Sequence, residues 1–207
     1  MKPDIPDAKP KKKKDKEPKK AVNIKWIISI FLCTVLISAV FSMVSNVLLL
    51  EANLLSSFAI LLVIIFIGII FDIIGVAVTA ADVKPFHSMA AHKVPGAQEA
   101  LKMLRNAEKV SSFCNDVVGD ICGVISGTAS AAIVVLMLTG IKSEGYLPTI
   151  LEIAMAALVS GMTVGGKAVG KSFAMSKSTA IVHTAARVVY YVKNTPRLVL
   201  RFFRRKK

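Results

Sequence analysis

Four long apolar runs separated by polar connections organise this chain, at residues 26–50, 54–80, 113–141 and 146–166. Each has about 20 residues or more, enough at a 1.5 Å rise per residue to cross a ~30 Å hydrocarbon core. The pattern predicts an all-α fold, a polytopic membrane protein with four transmembrane helices. The connection at 82–112 breaks twice, at Val83-Lys84-Pro85-Phe86-His87 and at Val94-Pro95-Gly96. After the second break apolar residues recur at 97, 100, 101, 104 and 107, a helical spacing on one face. Residues 82–112 are therefore expected to form a helical hairpin on the membrane surface. Beyond Lys167 the pattern stays helical. Ala180, Ile181, Thr184, Ala185, Val188 and Val192 share a face, which predicts a juxtamembrane helix over 172–194. Thr195-Pro196 is expected to stop it, because proline removes a helical donor. Residues 196–207 mix basic and bulky apolar side chains and suit a membrane interface.

Charge placement turns this pattern into a topology. The net charge is +14 at 54% hydrophobic residues. Residues 1–25 carry ten lysines and four acids, and the last 21 residues carry eight basic residues and no acid. Residues 82–112 carry five basic residues, whereas the connection around Glu51 carries none. The positive-inside rule places both termini and the hairpin in the cytoplasm, which four spans satisfy without conflict. Residues 1–25 read as a disordered basic cytoplasmic tail. The run at 26–50 is too long for a cleaved signal peptide and reads as an anchor. The expected location is multi-pass, in the plasma membrane. Basic charge that flanks spans, with little aromatic interleaving, points to the lipid bilayer, with anionic lipids meeting the basic tails, and away from nucleic acid.

Candidate chemistry lies inside the spans. Asp72, Asp116 and Asp120 interrupt apolar runs at nearly one depth. Asp72 and Asp120 should sit roughly 10–12 Å from the cytoplasmic ends of their helices. An ionisable group at mid-membrane costs at least ~2.5–3.5 kcal/mol, so it usually faces a partner, a cavity or an ion path. Ser160 and Thr163 fall in the same layer of the last span, where carboxylates and hydroxyls together offer the hard oxygens that magnesium or calcium prefers. The plainer alternative is that the acids pair with polar groups or with Lys167. Glu152 lies in another layer and reads as interfacial.

Other features carry less. Gly165 to Ser172 matches the phosphate-binding pattern GxxxxGK[ST], but that motif needs a strand before it and a sheet beneath it, and neither is predicted here. His87, His92 and His183 lack zinc spacing. Cys33, Cys114 and Cys122 are expected to be small buried apolar residues. No catalytic arrangement stands out, so neither an enzyme nor a cofactor is expected. Gly119, Gly123, Gly127 and Ala131 form a four-residue stripe, echoed by Gly161, Gly165, Gly166 and Gly170. Such stripes let helices approach closely in lipid, either within the chain or across a dimer.

Phe71-Asp72-Ile-Ile-Gly75, with Pro95-Gly96-Ala97 and Leu104-Arg-Asn106-Ala-Glu108, resembles the transmembrane domain of the CNNM/CorC magnesium-transporter family over about residues 54–195. The resemblance implies a homodimer that transports a divalent cation, with magnesium as substrate. The 26–50 span would be an addition, and no cystathionine-β-synthase-type regulatory domain is expected. The family's serines and glutamate after the phenylalanine correspond roughly to Asp72, Ile74 and Gly75 here. Its Gly-Asn pair falls near Val117-Val118-Gly119, which brings Asn115 into the metal set with Asp116 and Asp120. The alternatives are a non-transporting membrane scaffold on the same fold, or a proton-coupled carrier using Asp72.

Overall fold

The computed structural model describes residues 24–50, 52–139 and 145–204, with side chains undescribed at 25–27, 48–50 and 195–204. The expected tail at 1–25, apart from the first residues of the anchor helix, lies outside the described residues, as do Glu51 and residues 140–144. Among the described residues the chain is helical with no strand. Among the described residues four helices are long and apolar enough to cross a membrane, as in a multi-pass membrane protein.

The order is α1 (Ile24–Leu50), α2 (Leu54–Ala80), α3 (Lys84–Ala91), α4 (Ala97–Arg105), α5 (Ala107–Ser112), a π-helical segment (Phe113–Val118), α6 (Gly119–Leu138), α7 (Leu147–Ser176) and α8 (Ser178–Arg204). Several boundaries depart from the sequence expectation: the third span ends at Leu138 rather than 141, and the helix expected from 172 starts at Ser178. The last span does not end at 166, because α7 runs unbroken to Ser176 and the chain breaks at Lys177. Pro196 does not stop α8, which continues to Arg204. A proline can be carried where neighbouring groups re-satisfy the freed carbonyl.

The breaks between the helices have local causes. Ala81 is extended, and Asp82 Oδ1 accepts a hydrogen bond from the Lys84 N–H at 3.1 Å, with Pro85 in the first turn of α3. Gly96 has φ +86°, and a side-chain carbon there would stand 2.9 Å from the Arg187 backbone. Glycine is thus required twice, for the left-handed conformation and for the close seat of α8. Asn106 closes α4 by donating from Nδ2 to the Lys102 carbonyl at 3.0 Å.

α2 is the central helix, touching α5, the π segment, α6, α7 and α8. One cluster joins Ala77 and Val78 of α2 to Phe86, Ala100 and Leu104 of the hairpin, Ala174 of α7, and Val182 and Ala186 of α8. A second, toward the other end of the bundle, packs Leu61 and Ile65 against Ala129, Ile133, Met155 and Val159. α1 is seated on Val117, Ile121 and Ile125 through Ile30 and Ile37 and is otherwise open, with Phe31, Leu36 and Val40 well exposed. Hydroxyls within the spans mostly bond back to their own helices, as Thr34 does to Ile30 at 2.9 Å and Ser130 to Gly127 at 2.8 Å.

Candidate functional site

Between the two larger clusters the buried face of α2 turns polar. Leu61, Ile65, Gly68, Asp72 and Gly75 recur at three- and four-residue spacing and are all buried. The two glycines fix what lies opposite. A side-chain carbon at Gly68 would meet Cys122 Cβ at 3.0 Å, and one at Gly75 would overlap Asn115 Oδ1. The two helices therefore run antiparallel, and Asp72 comes opposite Val118 and Gly119. Asp72 lies eight residues before the end of α2, about 12 Å along the helix from its hairpin end.

Asp72 is 4% exposed, and its Oδ2 has no hydrogen-bond partner. Asn115 Oδ1 is likewise buried and without one, while Asn115 Nδ2 donates to Ser111 Oγ at 3.4 Å. Two orphaned oxygens therefore lie on one seam. Buried polar groups are normally satisfied, so a pair of orphans is a feature that calls for a ligand or water. The π-helical segment carries Asn115. Within it the Gly119 N–H reaches back five residues to the Cys114 carbonyl. Such a single widened turn changes the phase of the residues before it and is frequent at functional sites.

The third wall is α7. A side-chain carbon at Gly166 would overlap Ile69, and one at Gly170 would meet Ile73 Cγ1 at 2.7 Å, so α7 runs parallel to α2 at close range. Lys167 is half-buried, with its ammonium 3.4 Å from where a Gly119 side chain would begin, in the layer of Asp72. It gives no hydrogen bond to Asp72 Oδ2.

The remaining expected ligands lie elsewhere. Asp116 and Asp120 are exposed, on the face of the third span that also carries the exposed Gly123 and Gly127. Asp116 accepts a hydrogen bond from Ser112 Oγ at 2.6 Å. Ser160 is exposed on α7, and Thr163 Oγ1 is occupied by the Val159 carbonyl at 2.8 Å. The structure thus places Asp72 and Asn115 on one seam, about one helical turn apart along it, and separates them from the other four. Among the described residues no three His, Cys, Asp or Glu side chains are placed to hold a metal ion. Ser111 escaped sequence reasoning, as did the packing role of Gly75. Gly75 was findable in principle, being three residues after Asp72 on the same face, whereas nothing in the sequence marked the π turn.

The phosphate-binding match behaves as expected, and other expectations change. The GxxxxGK[ST] match lies wholly within α7, where Gly166 and Gly170 serve helix packing. Only those two glycines of the last span and Gly119 of the third have close neighbours, while Gly123, Gly127, Gly161 and Gly165 have nothing within 4 Å. Cys33 is exposed rather than buried, unlike Cys114 and Cys122. No protein-family model, curated protein or solved structure matches this chain.

Proposed function

We propose that this chain carries a divalent cation, magnesium in the first instance, across the membrane through the layer that holds Asp72 and Asn115. The reading rests on the two buried, unpartnered oxygens that face the same seam between α2 and the π segment. Magnesium is commonly bound through one or two carboxylates while it keeps several waters, so a carboxylate with one amide oxygen on the same seam is compatible with a largely hydrated ion. A lone carboxylate in the bilayer is costly, and an arriving cation removes that cost. Lys167, half-buried in the same layer, is a counter-charge to Asp72 that an arriving cation must outcompete. With the hairpin and both termini on the cytoplasmic side of the plasma membrane, as the distribution of basic residues favours, the layer lies within the cytoplasmic half of the bilayer. Asp116 and Asp120, exposed on the third span, are the acids such a path or a homodimer contact would use. Membership of the CNNM/CorC family belongs to the same proposal and is supported by the motifs around Asp72 and Gly96.

The test is magnesium binding to the purified full chain by calorimetry, together with flux in vesicles. Asp72→Asn is expected to weaken binding at least about ten-fold, the equivalent of ~1.4 kcal/mol. A folded parent that binds no magnesium, or an Asp72→Asn protein that transports as well as the parent, sinks the proposal. A second reading, a scaffold on the same fold, is favoured by the uncovered glycines of the third span. It requires Asp72→Asn to be silent while changes at Gly127 abolish function.

A further inference from the structure

On a different face of α2 from Asp72, α2, α7 and α8 flank a groove of about 520 Å³. Its walls are hydrocarbon, from Ile70, Ile73 and Ile74 of α2, Phe173 of α7, and Ile181 and Val188 of α8. The hydroxyl of Thr184, which also lines it, is satisfied by the Ala180 carbonyl at 2.9 Å. Among its lining residues Lys177, at the break between α7 and α8, is the one charged group.

Position says what such a groove holds. The close pairs Ile69 with Gly166 and Ile73 with Gly170 set the parallel register of α2 and α7. Continued to the helix ends, that register puts Lys177 level with Ala80, the last residue of α2. From there to Ile70 is ten residues, roughly 15 Å along the helix. That is half of the ~30 Å hydrocarbon core, the depth of one leaflet. The groove is therefore one leaflet deep, apolar along its length, and carries an exposed cation at its boundary end. α8 is amphipathic and leaves Arg187 and Lys193 exposed outside the groove lining. A soluble ligand has no reason to enter a wall that faces lipid, and a neutral lipid makes no use of Lys177.

We propose that this groove is a specific site for one acyl chain of an anionic phospholipid, with the phosphate held by Lys177. The site is independent of cation transport. It differs from diffuse attraction of anionic lipid to the basic tails, because it names one groove and one lysine.

The test places a tryptophan reporter in the groove of the full chain, Phe173→Trp in a Trp26→Phe background, reconstituted in phosphatidylcholine vesicles. Brominated phosphatidylglycerol and brominated phosphatidylcholine are then compared as quenchers. One lysine near an anionic surface provides a preference of about five-fold, so half-quenching is expected at about one-fifth the mole fraction for the anionic lipid. Lys177→Ala should remove the preference and Lys177→Arg should keep it. The reporter at Val188→Trp repeats the contrast, so a local folding fault at one position cannot imitate the result. Equal quenching by the two lipids, or a preference that survives Lys177→Ala, overturns the proposal. So does a groove closed to both lipids in which Val188→Cys cross-links two copies, since a second copy would then be the occupant.

Discussion

Gly75→Ala is the sharpest probe of the acidic layer. A β-carbon at residue 75 would overlap Asn115 Oδ1 and stand 2.8 Å from Asn115 Cγ and 3.1 Å from Nδ2. Carbon contacts prefer about 3.5–4.0 Å, so the amide must retreat by roughly 1 Å. Such overpacking costs about 1–3 kcal/mol. The alanine recovers about 1 kcal/mol in helix propensity, which leaves a net loss of about 0–2 kcal/mol. Gly123→Ala is the matched control, because nothing lies within 4 Å of a side chain there. It should gain about 0.5–1 kcal/mol with no clash. The two substitutions are chemically identical, so their difference isolates the seam. Thermal unfolding of both proteins in one detergent reads the stability term. Magnesium calorimetry reads the other: magnesium–oxygen bonds are about 2.0–2.1 Å and tolerate little displacement, so Gly75→Ala should bind about ten-fold more weakly. If the two variants coincide in both stability and affinity, the close seam and its role in binding are wrong.

Gly96→Ala should destabilise the hairpin end of the bundle by more than about 1 kcal/mol, since it adds a β-carbon at φ +86° against the Arg187 backbone. Limited proteolysis around residues 93–97 would report it, and unchanged protection would contradict the seat described for α8. Gly127→Leu projects from an uncovered position on the third span. It should leave the monomer's stability within about 0.5 kcal/mol. If that face joins two copies, the same change shifts a cross-linked dimer to monomer, and a dimer unaffected by it moves the interface elsewhere.

The membrane class follows from the length and composition of the apolar runs. Runs of apolar residues long enough to span the hydrocarbon core leave an unassisted chain little alternative to helices, because backbone groups must be satisfied internally in lipid. The breaks at Pro85 and Pro95-Gly96 were legible for a related reason: proline and left-handed glycine act through local sterics. The shared depth of Asp72, Asp116 and Asp120 was legible too, since rise per residue is fixed. What depth could not supply was direction around each helix relative to its neighbours. Whether Asp72 looked inward and Asp120 outward depended on which faces α2 and α6 presented to each other, and that was decided by Gly68 against Cys122 and Gly75 against Asn115. The π turn added a shift of phase that no apolar pattern records, because one widened turn alters hydrogen bonding but not composition. Stripes of small residues likewise left open which of their members a neighbouring helix covers. Gly166 and Gly170 met α2 while Gly123 and Gly127 met nothing, although all four share the spacing. A helix pattern fixes a face, and the packing of the helices around α2 settled which faces would be covered.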